Sequence, residues 1–244
     1  RVYIPLEEVS RLESLPGEGP EWCAVLPRVW RDRDEPALRT LLEWARALGF
    51  TGVLIGNLGH LPLVRGLNFH LYGDYGLNVF NSRSLAYLKD KELESACVSF
   101  ELRFAQIRDL KKVLRAEAIV YGRLPLMITE NCLVQNETGC RLDRQGPCVP
   151  EDGPCRCGQP NVLVDRTGAA FPLLPAYGHR TEIQNSKPLY LADRPEHRRL
   201  GLAYARLRFT TETAEECVSV VQNYLDAAPA AGDFTRGLYE RGVE

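Results

Sequence analysis

The chain has 244 residues, 45% hydrophobic and 25% charged, with 30 Lys and Arg against 32 Asp and Glu. That balance is ordinary for a globular protein with a large core, and a net charge of -2 does not mark a whole-molecule nucleic-acid binder. No apolar run approaches the roughly 18 residues of a membrane helix, and no signal peptide is present, so a membrane span is not expected.

The chain opens on RVYIPLEEV, which reads as strand then helix. It has no initiator Met, which points to a piece of a longer polypeptide. Short β-branched runs then alternate with amphipathic ones. Strands are predicted over 2–6, 23–29, 52–56, 69–73, 96–100 and 118–121. The clearest helix is predicted over 34–48, where Leu38, Leu41, Leu42, Ala45 and Leu48 share one face. Asp34 is its expected N-cap, Pro36 suits the first turn, and Gly49 suits the position past the end. A shorter helix over 82–91 is entered from Asn81. Another over 103–115 carries Phe104, Ile107, Leu110 and Leu114 inward and Arg103, Arg108, Lys111, Lys112 and Arg115 outward. The outward set is expected to be a solvated face.

Strand and helix alternating every 20–30 residues means βαβ units and a parallel sheet. The expected fold is α/β, a partial or complete TIM-like (β/α) barrel over 1–130. A Cys-rich loop and hairpin region follows over 131–188, and a small α+β appendage over 189–244. No GxGxxG opens a helix, which gives a dinucleotide fold no support. Asp165-Arg166-Thr167-Gly168 is a hairpin turn between 161–164 and 170–174. A final helix is expected from a Thr213 cap to Leu225, with Cys217, Val221 and Leu225 facing the core.

Chemistry in parallel α/β folds sits at the carboxyl ends of the strands. Those ends read Gly56-Asn57, Gly73-Asp74 with Asn78, Ser99-Phe100-Glu101 and Gly122-Arg123. Asp74, Glu101 and Arg123 are the catalytic candidates. Asn57, Asp74 and Asn78 are equally explained as turn residues, and His60 and His70 are expected to be structural.

The densest chemistry lies in CLVQNETGCRLDRQGPCVPEDGPCRC, residues 132–157, which holds five of the eight cysteines. Cys132, Cys140, Cys148, Cys155 and Cys157 are separated by 8, 8, 7 and 2. Thiols this crowded, without an export signal, favour metal binding in a reducing compartment such as the cytoplasm. Zinc knuckles want CxxC pairs, and this stretch has only CxC. Iron–sulfur clusters accept irregular thiolate spacing. The spacing leaves iron–sulfur, zinc and disulfides all open.

The run Glu117-Ala-Ile-Val-Tyr-Gly122-Arg-Leu-Pro-Leu-Met-Ile-Thr-Glu-Asn-Cys132 resembles the signature of the collagenase-like peptidase family U32: Glu, five residues on a Gly, ten further a Cys. GNLGHL, GDYGLNVFNS, DRTGAAFPL, IQNSKPLYL and the closing TRGLYERGVE resemble segments of its long, insert-containing bacterial members. Pro125 stands where the family often has a cysteine. The resemblance implies an oxygen-independent hydroxylation protein that acts on RNA bases or a small aromatic substrate, with prephenate as oxygen donor. It implies a barrel fold and a [4Fe-4S] cluster on Cys132, Cys140, Cys155 and Cys157, with Cys148 or His179 in reserve. It also implies a module working with an upstream part of the same polypeptide. The alternatives are a collagenase-like peptidase and a zinc-stapled, non-catalytic interaction module. No GxSxG elbow or HExxH supports the peptidase.

Overall fold

The computed structural model describes residues 1–17, 19–138 and 159–243. Two compact units are present. The first comprises Arg1–Ala118, Arg198–Ala205 and Leu238–Glu244; the second comprises Ile119–His197 and Arg206–Gly237. This division differs from the three regions expected from the sequence, because residues 189–244 are shared between the units.

In the first unit strands and helices alternate along the chain. They are β1 (Val2–Pro5), α1 (Leu6–Val9), β2 (Trp22–Val25), α2 (Glu35–Leu48), β3 (Gly52–Ile55), α3 (His60–Val64), β4 (His70–Gly73), α4 (Ser82–Asp90), β5 (Ser95–Cys97), α5 (Phe104–Asp109) and the start of β6 (Arg115–Gly122). The sheet order is β1-β2-β3-β4-β5-β6, and every pair is parallel. Each of the six predicted strands is present within a few residues.

The sheet curls. Five strand spacings of about 4.8 Å would hold β1 and β6 about 24 Å apart in a flat sheet. Yet the Tyr3 hydroxyl on β1 donates to Glu117 Oε2 on β6 at 2.9 Å, and Arg1 Nη1 donates to Ser95 Oγ on β5 at 3.2 Å. Side chains at the first strand therefore meet those on the last two across the inner face. Cys23, Leu54 and Tyr72 form a buried cluster there, with Tyr3 and Val25 against it. Gly52 makes room for it, since a Cβ there would lie 2.4 Å from Cys23 Sγ. The arrangement is mixed α/β and compatible with a partial barrel. Closure into an eight-stranded TIM barrel is not seen among the described residues.

The helices follow their patterns with two differences. Leu38, Leu42 and Ala45 of α2 are buried, and Gly49 ends the helix at φ 102°. Asp34 stands at the N-cap position of α2 as expected, but its side chain makes no capping bond to that helix. Its Oδ2 accepts from Arg31 N at 2.8 Å and closes the preceding 3-10 turn, Asp32–Asp34. The helix expected over 103–115 stops at Asp109. Leu110 turns extended, Lys112 Nζ donates to the Ile107 carbonyl at 2.6 Å, and Arg115 already belongs to β6. The basic residues of that stretch thus do not form one helix face. Arg108 pairs with Asp109 and Arg115 with Glu94.

The second unit contains a four-stranded antiparallel sheet. Its order is β7 (Pro125–Thr129), β10 (Arg180–Gln184), β9 (Ala170–Ala176), β8 (Asn161–Val164). The β8–β9 turn is the expected one. Asp165 Oδ1 accepts from Thr167 N at 2.8 Å and Ala169 N at 3.0 Å, and Gly168 takes φ 84°. The unit also holds α6 (Leu133–Thr138) and α7 (Ala214–Asp226). Its β11 (Leu189–Tyr190) runs antiparallel to Tyr121 and Gly122. A last strand, β12 (Tyr204–Leu207), precedes α7 in sequence.

Helix α7 starts at Thr213 as expected, whose hydroxyl accepts from Glu216 N at 3.3 Å. Its buried face is not the expected one. Val221 and Leu225 are exposed, Leu225 at 70%, and Cys217 is only half-buried. The helix packs instead through Val220 and Tyr224 onto Tyr121, Tyr190 and Ala192. Tyr224 fixes that rotation: its hydroxyl donates to the Val120 carbonyl and accepts from Leu191 N at 2.8 Å.

Candidate functional site

The first unit carries an open recess of about 1110 Å³ at the carboxyl ends of its strands. Arg28 and Val29 reach it from beyond β2, Gly56, Asn57 and Leu58 from beyond β3, and Gly76 and Leu77 from beyond β4. The first turn of α4 completes it with Asn81, Ser82, Arg83 and Ser84, together with Tyr87 and Leu88. Asn81 sets that turn by accepting from Arg83 N and Ser84 N, both at 3.0 Å. The Arg28 stem lies on two glycines. A Cβ at Gly76 would stand 2.6 Å from the Gly56 carbonyl and 3.0 Å from Arg28 Cδ.

Among the expected rim residues, Asn57 lines this recess, with its Oδ1 accepting from Gly59 N at 2.8 Å. Asp74 does not line it. It is buried behind Gly56, where its Oδ1 accepts from Tyr75 N and caps the 3-10 turn Tyr75–Leu77. Asn78 ends the same turn in a left-handed conformation, φ 50°. Glu101 follows β5 half-exposed, and its backbone N–H donates to Ser99 Oγ at 3.3 Å. His60 is structural: it is fully buried, and one ring nitrogen bonds the Pro27 carbonyl at 3.2 Å. Burial lowers its pKa to about 4, against the pull of that hydrogen bond and of Asp74. His70 lies on the surface beside Glu94.

In the second unit Arg123 is engaged by backbone. Its Nη1 donates to the Ser186 carbonyl and to the Asn185 carbonyl at 3.0 Å, which ties the segment after β10 to the end of β6. Its Nε is buried without a hydrogen-bond partner among the described residues. Cys132 sits just before α6. Leu133 N donates to Thr181 Oγ1 at 3.0 Å, and Thr129 Oγ1 donates to the Asn131 carbonyl at 2.6 Å, so both sides of the cysteine are fixed. Arg180, buried on β10, donates to Glu130 Oε2 at 3.1 Å and to the Tyr177 carbonyl at 3.0 Å. His179 lies next to it, in the β9–β10 turn with φ 58°.

The cysteines differ in access. Cys23 and Cys97 are fully buried. Burial pushes the Cys23 thiol up to about 12, and Cys97 Sγ donates to the Val98 carbonyl at 3.4 Å. Neither is suited to hold a metal as thiolate. Cys132 is a free, half-exposed thiol. Cys140, Cys148, Cys155 and Cys157 lie outside the described residues, and no metal-ligating group of three side chains occurs among the described ones.

Sequence reasoning overlooks Arg28 and Arg83 as recess residues. Arg28 falls inside a strand expected to reach residue 29, whereas β2 ends at Val25. Pro27, which cannot donate to a ladder, is the signal that ends it. Arg83 follows the Asn81 cap by two residues, and a cap of that kind already places it on the first turn.

These features define a class: an α/β protein of parallel strands with a ligand-sized recess at their carboxyl edge, joined in sequence to a cysteine-rich segment. A family model described as Peptidase family U32 matches residues 16–162, more than half of the chain. The chain belongs to peptidase family U32. The matched span takes in the recess, the Glu117–Cys132 signature and all five clustered cysteines. No curated protein and no solved structure matches the chain.

Proposed function

We propose that this chain is an iron–sulfur-dependent, oxygen-independent hydroxylation protein, or a module of one, acting on an RNA base or a small aromatic substrate. The observation that carries the reading is Cys132. It is an accessible, unpaired thiol held between two fixed residues at the head of a five-cysteine segment, in a chain of family U32. Cys132, Cys140, Cys155 and Cys157 would hold a [4Fe-4S] cluster, with Cys148 and His179 in reserve. Cys132, the one of these four that is described, is a free thiol, the ligand type such clusters take. When bound, the cluster supplies electron transfer and a Lewis-acidic iron.

The chain's own residues do the holding. Arg180 and Glu130, with Thr181, fix the turn that presents Cys132. Asp74, which caps the turn after β4, and Arg123, which holds the backbone after β10, would position the substrate's polar and anionic groups. Glu101 is the remaining acid–base candidate. RNA or prephenate as reactants, an upstream part of the same polypeptide as partner, and a cytoplasmic location complete the proposal. No helix among the described residues is long and apolar enough to cross a membrane.

Anaerobic purification with iron and sulfide analysis and electron paramagnetic resonance tests it. About four irons per chain and a cluster signal are expected, both lost in Cys132→Ser. Iron-free protein carrying equimolar zinc would replace this reading with the zinc-stapled module. Gelatin cleavage that depends on Cys132 and resists iron chelation would replace it with the peptidase.

A further inference from the structure

The recess of the first unit has a one-sided charge. Two arginines line it and no Asp or Glu does. Neither the Arg28 nor the Arg83 guanidinium makes a hydrogen bond or ion pair among the described residues; Arg28 only approaches the Tyr75 ring, at 5.6 Å. Arg28 is half-buried through its stem, which lies along Gly56 and Gly76, and its guanidinium is left open to the recess with its donors available. The first turn of α4 contributes the positive end of the helix dipole to the same space. Lys91 Nζ, 5.3 Å from the Tyr87 ring, adds a third positive charge beside it. The remaining walls are apolar: Leu58 and Tyr87 are 46% and 47% exposed, and Leu77 lies between the arginine-bearing segments.

We infer that this recess binds a phosphate group attached to an apolar or aromatic body. Arg28 and Arg83 take the phosphate oxygens, and Leu58, Leu77 and Tyr87 take the body. Guanidinium forks match a phosphate's several oxygens with two parallel hydrogen bonds each, which a point charge cannot do. A carboxylate offers two oxygens and would leave part of this donor set unused. The phosphate has two sources, a free phosphoester or the backbone of a nucleic-acid strand. The inference is independent of the iron–sulfur reading.

Titration calorimetry on the full chain tests it, with adenosine 5′-monophosphate, adenosine and a ten-nucleotide oligoadenylate as probes. Saturable binding of the monophosphate is expected, weakening with added salt, with adenosine binding at least about tenfold more weakly. Arg28→Gln and Arg83→Gln should each lower affinity at least about tenfold, whereas Arg166→Gln, on the exposed β8–β9 turn, should leave it unchanged. Arg83 is exposed, so its replacement does not endanger folding. If the oligonucleotide alone binds, and both variants lose it, the phosphate belongs to a strand. If none of the probes binds, or if binding survives both substitutions, the inference is overturned. Iron content is untouched by either result.

Discussion

The recess of the first unit and the interior of the second hold their arginines differently. In the second, Arg123, Arg180, Arg208 and Arg236 are each drawn onto carbonyls or carboxylates of the same unit. Arg208 bonds the Arg123 carbonyl at 2.7 Å, Gln184 Oε1 at 2.6 Å and Glu182 at 3.1 Å, and Arg236 is forked onto Asp193. In the first unit, Arg28 and Arg83 border open space and pair with nothing among the described residues. The lesson is that a cation's role follows from who has already claimed its donors. Arg123 has the sequence position of a substrate clamp, directly after a buried strand, yet its Nη1 is already spent on backbone.

The contrast can be broken by substitution. The largest effect is expected where the second unit is tightest. Gly122 has φ 113°, and a Cβ there would stand 1.9 Å from the Arg208 carbonyl. Gly122→Ala should cost about 4 kcal/mol in urea denaturation; a loss under about 1 kcal/mol would show that the Arg208 segment is not held there. Arg208→Met leaves the partly buried Glu182 without its cation and should cost about 3 kcal/mol. Arg83→Gln, by contrast, should stay within about 0.5 kcal/mol. Equal losses in those two variants would erase the distinction between the recess and that interior.

The first unit has its own sensitivity, to acid. His60 has an ordinary pKa of 6.5 and a folded value of about 4. The unfolded chain therefore takes up a proton that the folded one refuses. Stability is complete above about pH 6.5 and falls as the pH drops through 4, by roughly 3 kcal/mol in all. Urea midpoints between pH 7 and 4 should show this slope in the native chain and lose it in His60→Gln. The smallest effect is expected at α7, where Thr213→Ala removes half of a capping box and should cost about 1 kcal/mol, read by thermal unfolding.

Much of this fold is legible because it is written locally. β-branched runs mark six strands, Asp165 to Gly168 mark the hairpin, and Thr213 marks the start of α7. What the pattern misses is decided by distant partners. Periodicity places Val221 and Leu225 inward, but the two hydrogen bonds of Tyr224 rotate α7 so that they face solvent. The pattern makes α5 too long because Leu114 fits a helical period, although its burial comes at the approach to β6. At the candidate site, Cys132 is visible as a motif residue and Asp74 as a strand-end acid. That Arg28 borders the recess depends on where β2 stops, a matter of one proline.

The hydrogen bond from Tyr3 to Glu117 joins residues 114 apart in sequence. It therefore bears on the order of assembly as well as on shape. The first of these six strands to leave the ribosome cannot complete its polar contacts until the sixth has been made. Contacts of such long span are slow to form, because closing the intervening loop costs entropy before any bond repays it. Until that moment the inner face of the sheet, with Cys23, Leu54 and Tyr72, stays open to solvent and to other chains. Glu117 thus ties the end of the sheet back to its beginning.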